Sequence, residues 1–81
     1  MHPVFIAHNV VDTGRSKLLD NNHVRFSVRE KDSQKVWTGI GFGLGEVFQA
    51  LKHRPFDMAF SLQEGNWRGE KVLSLLVKDV R

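Results

Sequence analysis

The sequence contains no cysteine. That excludes a disulfide framework, a thiolate metal site and a cysteine nucleophile, and it suits a reducing compartment such as the cytoplasm. No apolar stretch approaches the roughly 20 residues that a membrane helix requires. The opening Met1-His2-Pro3-Val4-Phe5 has no charged segment running into a long apolar one, so no secretory leader is expected. His2, His8, His23 and His53 are scattered, with no i, i+4 pair and no carboxylate cluster nearby, which argues against a metal site. Ser16, Ser27, Ser33, Ser61 and Ser74 have no nucleophile-elbow context. Gly39, Gly41, Gly43 and Gly45 lack the Gly-Lys-Ser/Thr ending of a phosphate loop and do not match Gly-x-Gly-x-x-Gly. They read instead as a strand bend and a helix entry. No catalytic residue, metal or cofactor is expected in this chain.

Acidic residues are in the minority. Lys and Arg total 12 against 9 Asp and Glu, a net charge of +3. This balance permits a polyanionic partner such as nucleic acid without requiring one. The 81 residues, 41% hydrophobic and 26% charged, fit one small globular domain with a single core, spanning residues 1–81.

Val4 to Asp12 reads as a strand apolar on both sides, as expected where a strand bends across two sheets. Thr13 to Lys17 and Asp20 to Asn22 are turn clusters. His23 to Glu30 alternates Val24, Phe26 and Val28 against His23, Arg25, Ser27 and Arg29, one face buried and one wet. Val36 to Phe42 is a third strand, with Val36, Thr38, Ile40 and Phe42 on the inward phase and Trp37, Gly39 and Gly41 outward. A helix is expected from Glu46 to Arg54, with Val47, Phe48 and Leu51 as its apolar stripe and Pro55 as its stop. Phe56 to Leu62 is a fourth strand. A long connection then carries Trp67, and Val72 to Val80 is the fifth strand, apolar on both phases.

The expected fold is therefore all-β with one short helix. Five short strands with the helix between the third and fourth is the order of the OB-fold, a partly open Greek-key barrel. An SH3-like barrel lacks that helix, and a ferredoxin-like domain needs one where Thr13 to Asn22 stand. An OB barrel binds on the face of its second and third strands, between the first and last loops. Mapped onto this chain, that surface collects Arg15, Lys17, Arg25, Arg29, Trp37, Asn66, Trp67, Arg68 and Lys71. Basic side chains that follow a phosphate backbone and aromatics that stack on bases are what single-strand binding needs. Each has a plainer reading: Arg25 and Arg29 as solvated charges, Trp37 as the cover of a barrel edge. Trp67 suits equally a base, the open barrel end or a neighbouring domain.

Three separate stretches carry a family resemblance. Trp67-x-Gly69 with the strand ending Val77-Lys78-Asp79-Val80-Arg81, the motif Gly39-Ile40-Gly41-Phe42-Gly43 before a short helix, and the opening Pro3-Val4-Phe5 resemble the OB domain of bacterial RecJ, the single-strand-specific exonuclease. Gly65 and Ser74 depart from the Asn and Gln that the family often shows at those places. The resemblance implies a fragment of a larger exonuclease of DNA repair and recombination, with catalytic DHH and DHHA1 domains in the same parent chain. It implies manganese or magnesium in that parent, digestion of single-stranded DNA from the 5′ end, and a catalytically silent barrel that holds the strand. Two rival expectations stand beside it. One is a module that docks a protein domain without touching nucleic acid, and the other is an RNA-binding OB domain of the cold-shock type.

Overall fold

The computed structural model describes residues 3–81, with Trp67 described by its backbone alone. The elements are β1 (Phe5–Asp12), β2 (Lys17–Leu19), a 3-10 turn (Asp20–Asn22), β3 (His23–Glu30), β4 (Trp37–Gly41), α1 (Gly45–Leu51), β5 (Phe56–Trp67) and β6 (Glu70–Val80). The chain is mostly strand with one short helix. Among the described residues the strands number six, where five were expected. The additional one is β2, three residues hidden between two turn clusters, and it pairs antiparallel with the start of β3.

The sheet runs β1-β5-β6-β4-β3-β2, and a further pairing of β1 with β3 closes it into a ring. β1 and β2 share one edge of β3: β2 along His23–Arg25, β1 along Val28–Glu30. All pairings are antiparallel except that of β4 with β6. β1 reaches both β5 and β3 by bending at a bulge between Ala7 and Val10, where Asn9 takes a φ of 55°. Asparagine tolerates that conformation, and the extra residue shifts the side-chain phase so that Val10 enters the core. A second irregularity between Ala59 and Phe60 does the same for β6 and buries Val80. The bulges thus bring Val10 and Val80 inward, while Ile6 and Leu76 stay on the outward phase.

β3 matches its sequence pattern: Val24, Phe26 and Val28 are buried. β4 corrects the expectation. Its inward residues are Trp37, Gly39 and Gly41, opposite Val28, Phe26 and Val24, while Phe42 is 62% exposed. The cause is steric. A Cβ on Gly39 would overlap the Leu75 carbonyl, and one on Gly41 would lie 2.7 Å from the Phe26 ring. At positions 39 and 41 the inner face of this strand has room for glycine only, so Thr38 and Ile40 turn outward.

α1 closes one end of the ring. Phe48 meets Phe26 edge-on at 5.2 Å between ring centroids and Phe56 at 6.4 Å. Burying each such ring contributes about 1.5–3 kcal/mol. Leu51 completes the plug, but Val47 is exposed, and the helix ends at Leu51, so that His53 and Arg54 lie past it. The stop comes before Pro55, with Arg54 N–H donating to the Leu51 carbonyl at 3.2 Å. At the other end of the ring no helix among the described residues plays that part.

β5 and β6 are also longer than expected. They continue as a two-stranded ribbon to Trp67 opposite Glu70, joined by Arg68 and Gly69 at φ of 52° and 80°. Two positive φ values in a two-residue turn match the right-handed twist of a hairpin. The expected long connection around Trp67 is therefore ladder.

Candidate nucleic-acid interface

The outer face of β3 and β4 is built by two local decisions. Lys17 of β2 lies directly opposite Arg25 of β3, so two cations share one cross-strand position. Like charges so placed repel, and an anion between them relieves the repulsion. The loop before β2 is then fastened over β3. Thr13 Oγ1 donates to the Ser27 carbonyl at 3.0 Å and lies 2.7 Å from the Ser27 hydroxyl. Ser16 Oγ donates to Asp12 Oδ1 at 2.6 Å and accepts from the Ser27 N–H at 2.8 Å. This cover explains why Ser27, on the wet phase of its strand, is only 8% exposed. Arg15 hangs from the fastened loop, its N–H donating to Thr13 Oγ1 at 3.3 Å.

Arg15, Arg25 and Thr38 line one shallow groove on this face, and Arg25, Thr38, Ile40, Phe42, Gln63 and Ser74 line the next. The two grooves adjoin at Arg25 and Thr38, and together they are termed the channel. Among the described residues Arg81 pairs with Asp79 and His8 Nδ1 lies 3.3 Å from Asp57 Oδ2, and neither contact involves Arg15, Lys17 or Arg25.

The other expected residues are placed differently. Arg29 is half-buried, and its Nη1 donates to the carbonyls of Glu30, Lys31 and Ser33 at 3.3, 2.9 and 3.4 Å, which holds the β3–β4 turn. Trp37 does not stand on the outer face. It packs against the core cluster, and Lys35 Nζ lies 4.4 Å above its ring, a cation–π contact. Asn66 and Lys71 pair on the ribbon, on the phase of Leu73 and Leu75 that leads toward the ring interior. Arg68 forms the ribbon turn, and the Trp67 side chain, like His2, lies outside the described residues. Of the nine candidates, the fold brings Arg15, Lys17 and Arg25 together. What sequence reading missed is Phe42, assigned to the core by apolar alternation; the glycines at 39 and 41 were the signal that this phase turns outward.

The open end of the ring is a second concave surface. A cavity of about 560 Å³ opens there, lined mainly by apolar side chains such as Phe5, Ile6, Trp37, Phe60 and Leu62, with His8 and Glu30 the polar exceptions. Phe5 and Ile6 are 45% and 64% exposed at its rim. Among the described residues no three His, Asp or Glu gather as metal ligands, and no helix is long and apolar enough to cross a membrane.

A closed, mostly antiparallel ring with one helical plug and a basic channel on its outer face defines a small binding module. The chain belongs to the RecJ OB domain family, whose model matches residues 1–79. No curated protein and no solved structure matches the chain.

Proposed function

We propose that this domain holds single-stranded DNA for a RecJ-like exonuclease of DNA repair and recombination. In this reading the catalytic DHH and DHHA1 domains, and the manganese or magnesium they use, belong to the parent chain, which acts in the cytoplasm. The closed ring corresponds to an OB barrel, with β3 and β4 as the strands of its binding face. The observation that carries the reading is Lys17 opposite Arg25, with Arg15 in the same channel and no carboxylate paired to any of them among the described residues. Two arginines lining a groove, with Lys17 across the strand from one of them, follow a phosphate backbone and read no base, so binding is sequence-tolerant and salt-sensitive.

Fluorescence anisotropy with a labelled single-stranded oligonucleotide across a salt series tests this. Affinity falls with salt at a log–log slope of about −0.7 per neutralised phosphate. Replacing Arg15, Lys17 and Arg25 together by Ala makes that slope shallower by about 2 on the same scale and weakens binding at low salt. Failure of the folded chain to bind at low salt rejects direct contact.

The open apolar end favours a second reading, docking of a neighbouring domain of the parent. Its rim residues Phe5, Ile6 and Leu62 are exposed around an apolar cavity. Docking of that kind is insensitive to the three Ala substitutions.

A further inference from the structure

We infer that Phe42, braced by His23, is the base-stacking platform of the channel. The inference rests on the single-strand reading of the basic groove and adds to it the group that touches the bases. Outward residues of β4 are Thr38 and Ile40, and the next position on that phase is Phe42, just past the strand end. Phe42 is 62% exposed and lines the same groove as Arg25. An aromatic ring so placed costs free energy in water and gains it back under a planar partner.

The ring is also held in place. His23 meets it edge-on, with centroids 5.0 Å apart and planes at 84°. Gly43, at a φ of 72° that glycine adopts freely, turns its N–H back to donate to His23 Nδ1 at 3.0 Å. Asn22 Nδ2 donates to the Gly43 carbonyl at 3.3 Å. The residue after Phe42 is thus tied to the start of β3 through both its backbone groups, which lowers the ordering cost of binding. Because Nδ1 accepts, the neutral imidazole carries its proton on Nε2, a donor suited to a phosphate or a base edge. A fixed aromatic face with a guanidinium along the same groove fits a nucleotide: base on Phe42, phosphate on Arg25.

The test compares a labelled oligothymidylate with an abasic oligomer of equal length, by anisotropy at low salt. Phe42→Ala weakens oligothymidylate binding roughly 5- to 150-fold, the range of one lost base stack, and leaves abasic binding unchanged. Phe42→Trp restores the oligothymidylate affinity, while Arg25→Ala weakens both polymers. Wild-type binding that Phe42→Ala leaves intact overturns the platform and spares the groove. Equal losses on both polymers assign Phe42 to the shape of the groove and also overturn it. Absence of wild-type binding to either polymer removes the groove reading, and the platform with it.

Discussion

The two ends of the ring are built from the same kinds of residue and reach opposite outcomes. At the α1 end, Phe26, Phe48 and Phe56 interlock edge-to-face and are each at most 3% exposed. At the other end Phe5 and Phe60 tilt against each other at 5.9 Å, but Phe5 stays 45% exposed over an apolar cavity. The difference is one short helix. Where a helix lies across the strand ends, apolar side chains become core; where none does, they become an available surface. Stability and recognition are thereby divided between ends, and substitutions at matched positions measure how complete the division is.

The largest effect is expected at the plugged end. Phe48→Ala removes the ring that bridges Phe26 and Phe56 and leaves a cavity that a closed ring of strands collapses poorly. It should cost about 3–5 kcal/mol, read from urea unfolding, a large part of the stability of a domain this small. Phe5→Ala at the open end should cost no more than about 1 kcal/mol, since its ring is already half in water. Equal costs would mean that the open end is core after all, and the contrast would disappear.

A smaller effect is expected at the latch between the first loop and β3. Thr13→Val keeps the shape but withdraws the hydroxyl that bonds the buried Ser27. A loss of about 1–2 kcal/mol in unfolding free energy follows from stranding that group. Oligonucleotide affinity should fall as well, because Arg15 is held through this loop. Loss of stability with full affinity would show that Arg15 works without its anchor.

The latch also marks the limit of what the sequence displayed. β3 was legible because one face is buried and the other wet, so Val24, Phe26 and Val28 appear at a period of two. The plug was legible in Phe48 and Leu51 for the matching helical reason. β4 was misread by one phase. Ile40 and Phe42 are apolar and Gly39 and Gly41 are not bulky, so hydropathy pointed the wrong residues inward; close approach to Leu75 and Phe26 decided otherwise. The part of β5 beyond Leu62 and the start of β6 at Glu70 and Lys71 read as a connection in the sequence, because Gln63, Glu64, Asn66, Glu70 and Lys71 are polar and exposed and show no alternation. β2 is too short to carry a pattern, and yet it is the element that sets Lys17 against Arg25. The cations of the site could be named from the sequence, but their meeting could not, because it depends on the pairing of β2 with β3, and three residues carry no readable alternation.

The smallest expected effect separates the two recognition surfaces. Leu62 and Leu73 are 37% and 54% exposed on the inward-leading phase of the ribbon strands, and Leu62 lines the open end. Changing both to Gln should leave stability within about 0.5 kcal/mol, as for surface sites without a special role. It should lower the fluorescence of an apolar dye bound to the chain, because the exposed apolar patch shrinks. Oligonucleotide affinity and its salt slope should not move, since the channel lies on the other phase, with Ser74 and Gln63. A fall in affinity would instead carry the nucleic acid around the ribbon and into the open end. The apolar rim would then be part of the strand's path, and the contrast would lie between a plug and a passage.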